Sequence, residues 1–382
     1  MSKSLRVKSV SKPSPTIGIL TVSDDHQSFR GNISNFIDLI QIGQKLGANV
    51  FVVTTDELSL SGETTPGFSY DFERKTWVKE HLPIPNVIYN RVPNRSFEMQ
   101  PQVQLKIKSC MRNKRVKLFN PSFFNKWTLF EWLSSTPETQ KFIPATHQLT
   151  NANELEMMIR KFPTIYLKPI SGKAGKGIMR IDHRSGKIRH PIKQLNFQNN
   201  RHTQRSHYTT MSTLWNKIQA YRKSQDYIMQ QGIDLVKYND RPYDLRILIQ
   251  KSSQGKWKVS GIGARLAGDS SITTHVPRGG SIEDPAELLT SSFGEKRGNF
   301  ILRRAKYTAL LIARTIENKS GQKLGEMSID LGIDTSGQAW FFEANSKPMK
   351  FDEPHIRTKS LERLIRYCKY LSNETSKKVG DK

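Results

Sequence analysis

Apolar residues in this chain fall into short unbroken runs, alternating runs and helical stripes, and their order predicts an α/β protein. From Ile17 the run ILTV has the length of a buried strand, and Ile33 to Leu46 carries apolar residues at helical spacing until Gly47 closes it. VFVVTT is the next buried strand, Gly67 to Glu80 alternates like a hairpin, and NVIYNRV follows as another strand. Strand, helix, strand in this order predicts a small parallel sheet with flanking helices over residues 17–119, preceded by a basic tail, 1–16.

A second unit is expected over residues 120–225. KWTLFEWL, Lys126 to Leu133, is an apolar-faced helix with a lysine in its first turn, where the helix dipole usually disfavours a cation. A helix over Asn153 to Lys161 leads to TIYLKPISGKAGKGIMRI, Thr164 to Ile181, which reads as strand, Gly-rich basic loop, strand. His183 to Gln225 contains no Asp or Glu and predicts a long exposed basic loop before a helix near Met211 to Arg222. A third unit, 226–372, opens with the strands DYIMQQGI, RPYDLRILIQ and WKVSGIGARLAG. A long helix at 298–318 and two strands, EMSIDLGID and AWFFEANSKP, complete it before a tail, 373–382.

Composition narrows the partners. The 382 residues carry a formal net charge of +26, which attracts nucleic acid, an anionic polymer, a membrane surface or a nucleotide without choosing among them. Aromatic residues are thin in the acid-free segment, so a nucleic-acid stacking platform ranks last. No apolar run approaches membrane-spanning length, and the basic N-terminus lacks a signal peptide's apolar stretch, predicting an intracellular protein. Cys110 and Cys368 show no metal-ligand spacing.

Two stretches carry chemistry. In the loop from Ser171 to Gly177, three glycines (Gly172, Gly175, Gly177) let backbone N–H groups approach a ligand, and Lys168, Lys173 and Lys176 add positive charge. That describes an anion site, most simply for a polyphosphate, although a solvated basic hairpin turn has the same composition. It is neither a P-loop nor a dinucleotide fingerprint, because no Ser or Thr follows a Gly-Lys pair and the glycines run G-x-x-G-x-G. In the last two strands, Asp330 stands among apolar neighbours, and Glu343 and Asn345 lie two apart on one face. If those strands pair antiparallel through the turn near Ser336, three oxygen ligands converge as Mg²⁺ requires. Neither stretch is specific alone; together they describe a magnesium–nucleotide polyphosphate site.

Over nearly its whole length the sequence resembles the ATP-grasp superfamily and, within it, the YheC/YheD-type endospore coat-associated group. FNPSFFNKWTLFEWL, YLKPISGKAGKGI, YIMQQGI, YDLRILIQ, THVPRGG, SIDLGID and FFEANSKP carry the resemblance, in family order. It implies a small parallel α/β domain followed by a two-subdomain ATP-grasp fold with ATP held between the subdomains. Lys126 and Lys168 match the lysines that contact the α- and β-phosphates. Ser171, Gly172, Lys173, Gly175, Lys176 and Gly177 match the loop that closes over the β- and γ-phosphates. Gln230, Gln231, Gly232 and Ile233 match the adenine-reading hinge. Asp330, Glu343 and Asn345 match the Mg²⁺ ligands, with Mn²⁺ as the alternative metal. Arg246, Arg265 and Arg278 match positions near the γ-phosphate or an acyl phosphate. Gln231 stands where many members carry Glu, and His275 where Asn is frequent.

The resemblance implies an ATP- and Mg²⁺-dependent carboxylate–amine ligase acting through an acyl phosphate, located in the mother-cell cytoplasm or the spore coat. Its carboxylate donor and amine acceptor are not identified, and an acidic peptide or polymer and spore coat proteins are the partners that fit the charge. The alternative is a coat structural protein that keeps the fold without turnover.

Overall fold

The structure is a computed structural model that describes residues 14–171, 176–184, 192–199, 202–268, 271, 273–274, 279–349, 351 and 353–380. Two compact units account for it: the described parts of 1–121, 251–256 and 350–382, and those of 122–250 and 257–349.

In the first unit, β1 (Thr16–Thr21), α1 (Ile33–Lys45) and β2 (Asn49–Thr54) form a strand–helix–strand turn in which β1 and β2 pair in parallel. The Asn32 side chain starts α1 by accepting from the Asn35 N–H. The hairpin β3 (Thr64–Asp71) and β4 (Thr76–Pro83) adds antiparallel strands at one edge, and β5 (Val87–Asn90) pairs in parallel with β1. Helices α2 (Arg95–Glu98) and α3 (Pro101–Arg112) then lead to β6 (Lys117–Phe119), giving the order β4-β3-β2-β1-β5-β6. The expected parallel α/β domain is present. Cys110 lies in the α3 side of its core, and burial pushes that thiol up to about 11.

The second unit holds two antiparallel-rich sheets. Ahead of them come α4 (Lys126–Ser134) and α5 (Pro137–Gln140), then β7 (Thr146–Gln148), α6 (Ala152–Lys161), β8 (Thr164–Pro169) and β9 (Met179–Arg184). β10 (Ile192–Asn199), β11 (His202–Tyr208), α7 (Met211–Arg222) and β12 (Tyr227–Gln231) complete a sheet ordered β11-β10-β9-β8-β12-β7. The second sheet, β16-β15-β14-β17-β18, is built from β14 (Arg241–Lys251), β15 (Trp257–Leu266), β16 (Ser281–Glu283), β17 (Glu326–Ile333) and β18 (Ala339–Asn345), with β13 (Lys237–Tyr238) paired to β14. Helices α8 (Pro285–Phe293) and α9 (Glu295–Ser320) cover its apolar face.

Three expectations change. The segment expected as a long exposed loop contains β10 and β11, because Leu195 and Phe197 alternate onto the apolar side of the sheet, where Phe197 stacks on Tyr221 at 4.0 Å. Its polar alternates face the other way, and their Asn/Gln/His content hid the period of two. A boundary at 226 separates β12 from the sheet in which it pairs with β8 and β7, while Leu129, Phe130 and Leu133 of α4 pack in the core of the second sheet. The third change concerns the last helix, α10 (Pro354–Gly380), whose side chains are described to Glu374. The unit boundary at 372 puts its residues with the second sheet, and no helix is expected there; it packs instead on the first unit, with Leu364, Ile365 and Cys368 in one core with Ile17, Phe36 and Leu39. Arg357 pairs with Asp38, and Lys369 donates to the Leu46 carbonyl at 2.6 Å. Ile365 is 1 % exposed, so Ile365→Ala is expected to cost about 2–5 kcal/mol in a urea titration, large for a residue so far from the parallel strands in sequence.

Candidate active site

The polar faces of the two sheets in the second unit carry the candidate residues. On β17 and β18 the register sets Asp330 opposite Glu343 and Ser328 opposite Asn345, as antiparallel pairing through the turn required. The register then slips between Asp330 and Leu331, so that Leu331 meets Phe341 and Phe342 is the extra residue. Gly332 supplies the space. A Cβ there would overlap the Phe342 ring and stand 2.7 Å from a Leu235 methyl. Gly332→Ala is expected to cost about 1–3 kcal/mol by thermal denaturation, as forced overpacking does, and to displace that ring.

Phe342 matters because Lys168 lies over it, Nζ to ring centroid 5.3 Å. Lys168 also donates to Gln230 Oε1 at 2.5 Å, while Gln230 Nε2 donates to Thr146 at 2.9 Å, so Gln230 acts here through its side chain. Burial, with Lys126 nearby, lowers the Lys168 ammonium to about 8 against the pull of Glu343, Asp244 and Asp330. Lys126 is the first residue of α4, whose start is capped by Asn125, and its Nζ is 3.3 Å from Glu343 Oε1. Both phosphate-candidate lysines thus converge on the candidate metal carboxylates.

Arg265 is the buried centre of the acidic side. It donates to both oxygens of Asp244, at 2.8 and 2.6 Å, and reaches Asp330 Oδ2 at 2.9 Å. Thr274 adds a third bond to Asp244 at 2.6 Å. Burial opposes the Arg265 charge, but Asp244 and then Asp330 outweigh it and hold its pKa above the ordinary arginine value. Arg246 approaches Asp330 less closely, Nε to Oδ1 3.9 Å, and is more exposed than Arg265. Asp244 as the counter-ion of Arg265 was not assigned from sequence, although its place two residues before Arg246 put both on one face.

The hinge residues are partly committed to the fold. The Gln231 and Gly232 N–H groups donate to Ala145 and Thr164 carbonyls, each at 2.8 Å, and Ile233 follows directly. At the near end of the Gly-rich loop, Ser171 follows β8; at the far end come exposed Lys176 and then Gly177. Gly177 has φ +74°, its carbonyl accepts from Tyr227 at 2.9 Å, and a Cβ would stand 2.8 Å from that hydroxyl, so glycine is required. Gly172, Lys173, Gly175, His275 and Arg278 lie outside the described residues.

The donor set fits Mg²⁺ in kind. Asp330, Glu343 and Asn345 offer carboxylate and amide oxygens, and cationic groups of Arg265, Arg246 and Lys126 surround the two acids. Among the described residues no three His, Cys, Asp or Glu side chains group as a metal site, so the amide of Asn345 is needed to complete a trio.

In fold, this pair of antiparallel sheets is similar to solved ATP-grasp ligases. D-alanyl-alanine synthetase A from Vibrio cholerae superposes with TM-score 0.51 at 12% identity, covering 97% of this chain and 100% of that one. The ATP-grasp ligase PsnB, complexed with minimal precursor, Mg and ADP, gives TM-score 0.50 at 10% identity, covering 94% of this chain and 98% of that one. The chain belongs to the YheC/D-like ATP-grasp family, whose model matches residues 115–371. The endospore coat-associated protein YheD of Bacillus subtilis (strain 168) is 27% identical over 370 residues, covering 94% of this chain and 79% of that protein.

Proposed function

We propose that the protein is an ATP-dependent carboxylate–amine ligase acting in the spore coat or the cytoplasm of the cell that builds it. The observation that carries this reading is the convergence of Lys126 and Lys168 on Asp330 and Glu343, which makes one site both cationic enough for a polyphosphate and acidic enough for a divalent ion. Location rests on the name of the YheD relative, and a peptide or acidic polymer as substrate rests on the precursor bound by PsnB and on the charge of this chain.

In this reading Lys126 and Lys168 hold the α- and β-phosphates, and Ser171 to Gly177 closes over the β- and γ-phosphates. Gln230 to Ile233 borders the base. Asp330, Glu343 and Asn345 hold Mg²⁺, or Mn²⁺, which when bound neutralises charge on the phosphates. A substrate carboxylate oxygen attacks the γ-phosphorus, the bond to the β-phosphate oxygen breaks, and ADP leaves. An amine then attacks the acyl carbon, gives up a proton, and expels phosphate as the C–N bond forms. Arg246, with its looser ion pair, is the arginine free to follow the transferred phosphoryl group, and Arg278 is the second candidate. Arg265 holds Asp330 in position. The chain's own contribution is electrostatic preorganisation, which needs no side-chain nucleophile.

The test is incubation of the purified protein with ATP, Mg²⁺ and pooled amino acids and peptides, with ADP, phosphate and new amides followed by mass spectrometry. Acceptor-dependent ADP release with a new amide is expected. Nucleotide binding without turnover on any acceptor would replace this reading by a coat protein that uses the fold without catalysis, and failure to bind ATP at all would end the enzyme reading.

A further inference from the structure

The longest fully described helix presents a surface that neither the core nor the candidate site uses. The inner side of α9, with Ile301, Ala305, Ala309, Ile312 and Ile316, is buried along its whole length in the core of the second sheet. Its outer side exposes Lys296, Phe300, Arg303, Arg304, Tyr307 and Arg314. With 3.6 residues per turn, all six lie within about 60° of Phe300 around the helix and span about 27 Å along it.

That strip has an unusual balance. No Asp or Glu occurs between Glu295 and Glu317. Among the described residues, Lys296, Arg303, Arg304 and Arg314 form no ion pair with a carboxylate. Phe300 is 50 % exposed and Tyr307 64 %, and the Arg304 guanidinium lies 5.6 Å over the Phe300 ring. A row of like charges repels itself, and two rings keep half or more of their surface in water, so the strip is suited to an anionic partner with an apolar layer.

Geometry selects among anionic partners. A duplex groove about 12 Å wide takes in most of a helix, whereas α9 is sunk in its own core and offers only one strip. Phe300 and Tyr307 are separated by two turns, about 10 Å, too far to stack successive bases of a single strand. A straight, shallow, cationic strip with aromatic side chains among the cations matches a flat interface of acidic headgroups over hydrocarbon. We propose that the outer face of α9 is a peripheral docking surface for a bilayer bearing anionic phospholipids. No helix among the described residues is long and apolar enough to cross a membrane, so the attachment is lateral.

Sedimentation of the full chain with vesicles tests this, using phosphatidylcholine alone and phosphatidylcholine mixed with phosphatidylglycerol. Binding to the mixed vesicles only, weakened by salt, is expected. The triple variant R303Q/R304Q/R314Q is expected to lower partitioning by at least about tenfold, and F300S/Y307S by several-fold. Because the whole chain is basic, K108Q/R112Q/R115Q, which removes three exposed charges from α3 and the residues after it, serves as the control and is expected to bind as the parent does. Unchanged melting temperatures establish that the variants fold. Equal loss in the control, no vesicle binding by the parent, or loss of oligonucleotide affinity alone in the α9 variant would each overturn the proposal.

Discussion

Glu343→Ala is expected to yield a folded protein whose acceptor-dependent ADP release falls about 10²- to 10³-fold, the usual effect of losing one preorganised electrostatic group. The structural cost is expected to be below that of a fully buried pair, because Lys126 and Glu343 keep 17 % and 21 % of their side chains exposed. Asp330→Ala is expected to behave differently. Asp330 is buried at 3 % exposure and shares the Arg265 charge with Asp244, so its removal leaves a buried guanidinium under-compensated and costs about 3–5 kcal/mol. Turnover and urea midpoints measured on both variants separate the roles. Turnover unchanged in Glu343→Ala would remove the carboxylate from the chemistry, and a stable Asp330→Ala would show that Asp244 alone satisfies Arg265.

Lys168→Met is expected to weaken ATP binding by one to two orders of magnitude, about the worth of a hydrogen bond to a charged group. Its pH dependence follows from the lowered pKa of about 8. Near that value the free protein has lost about half of the Lys168 proton; ATP restores it, so binding at pH 8 takes up about half a proton and affinity falls as pH rises further. Calorimetry in two buffers of different ionisation enthalpy detects that uptake, and the Met variant is expected to lack it. Stability changes in the opposite sense. The folded-state value lies below that of a free lysine, so the protonated side chain weakens the unliganded fold at neutral pH, and that cost is relieved as pH rises through about 8. Lys168→Met should therefore lose nucleotide affinity without a matching loss of unliganded stability at pH 7. Equal proton uptake in the parent and the variant would show that Lys168 is not the group responding to ATP.

Local pattern determined much of this protein. The strand–helix–strand opening, α7, and the antiparallel register that sets Asp330 against Glu343 follow from short-range periodicity and a turn, and the structure has each of them. Lys168 and the Gly-rich loop were candidates only in combination with the carboxylate strands, since a solvated basic hairpin turn has the same composition; among the described residues of the loop, Gly177 is required by the fold. The docking of α10 on the first unit was not legible, since an amphipathic stripe states that a helix is covered and not by what. Nor was the commitment of Arg265 to Asp244, or the slip that turns Phe342 beneath Lys168. Each depends on strands distant in sequence meeting in one register, where close packing around Gly332 and a buried charge needing two acids decide the outcome. The sequence determined which residue types are candidates for a phosphate or a metal, and only the tertiary structure decided that Lys126 meets Glu343 and that Arg265 meets Asp330.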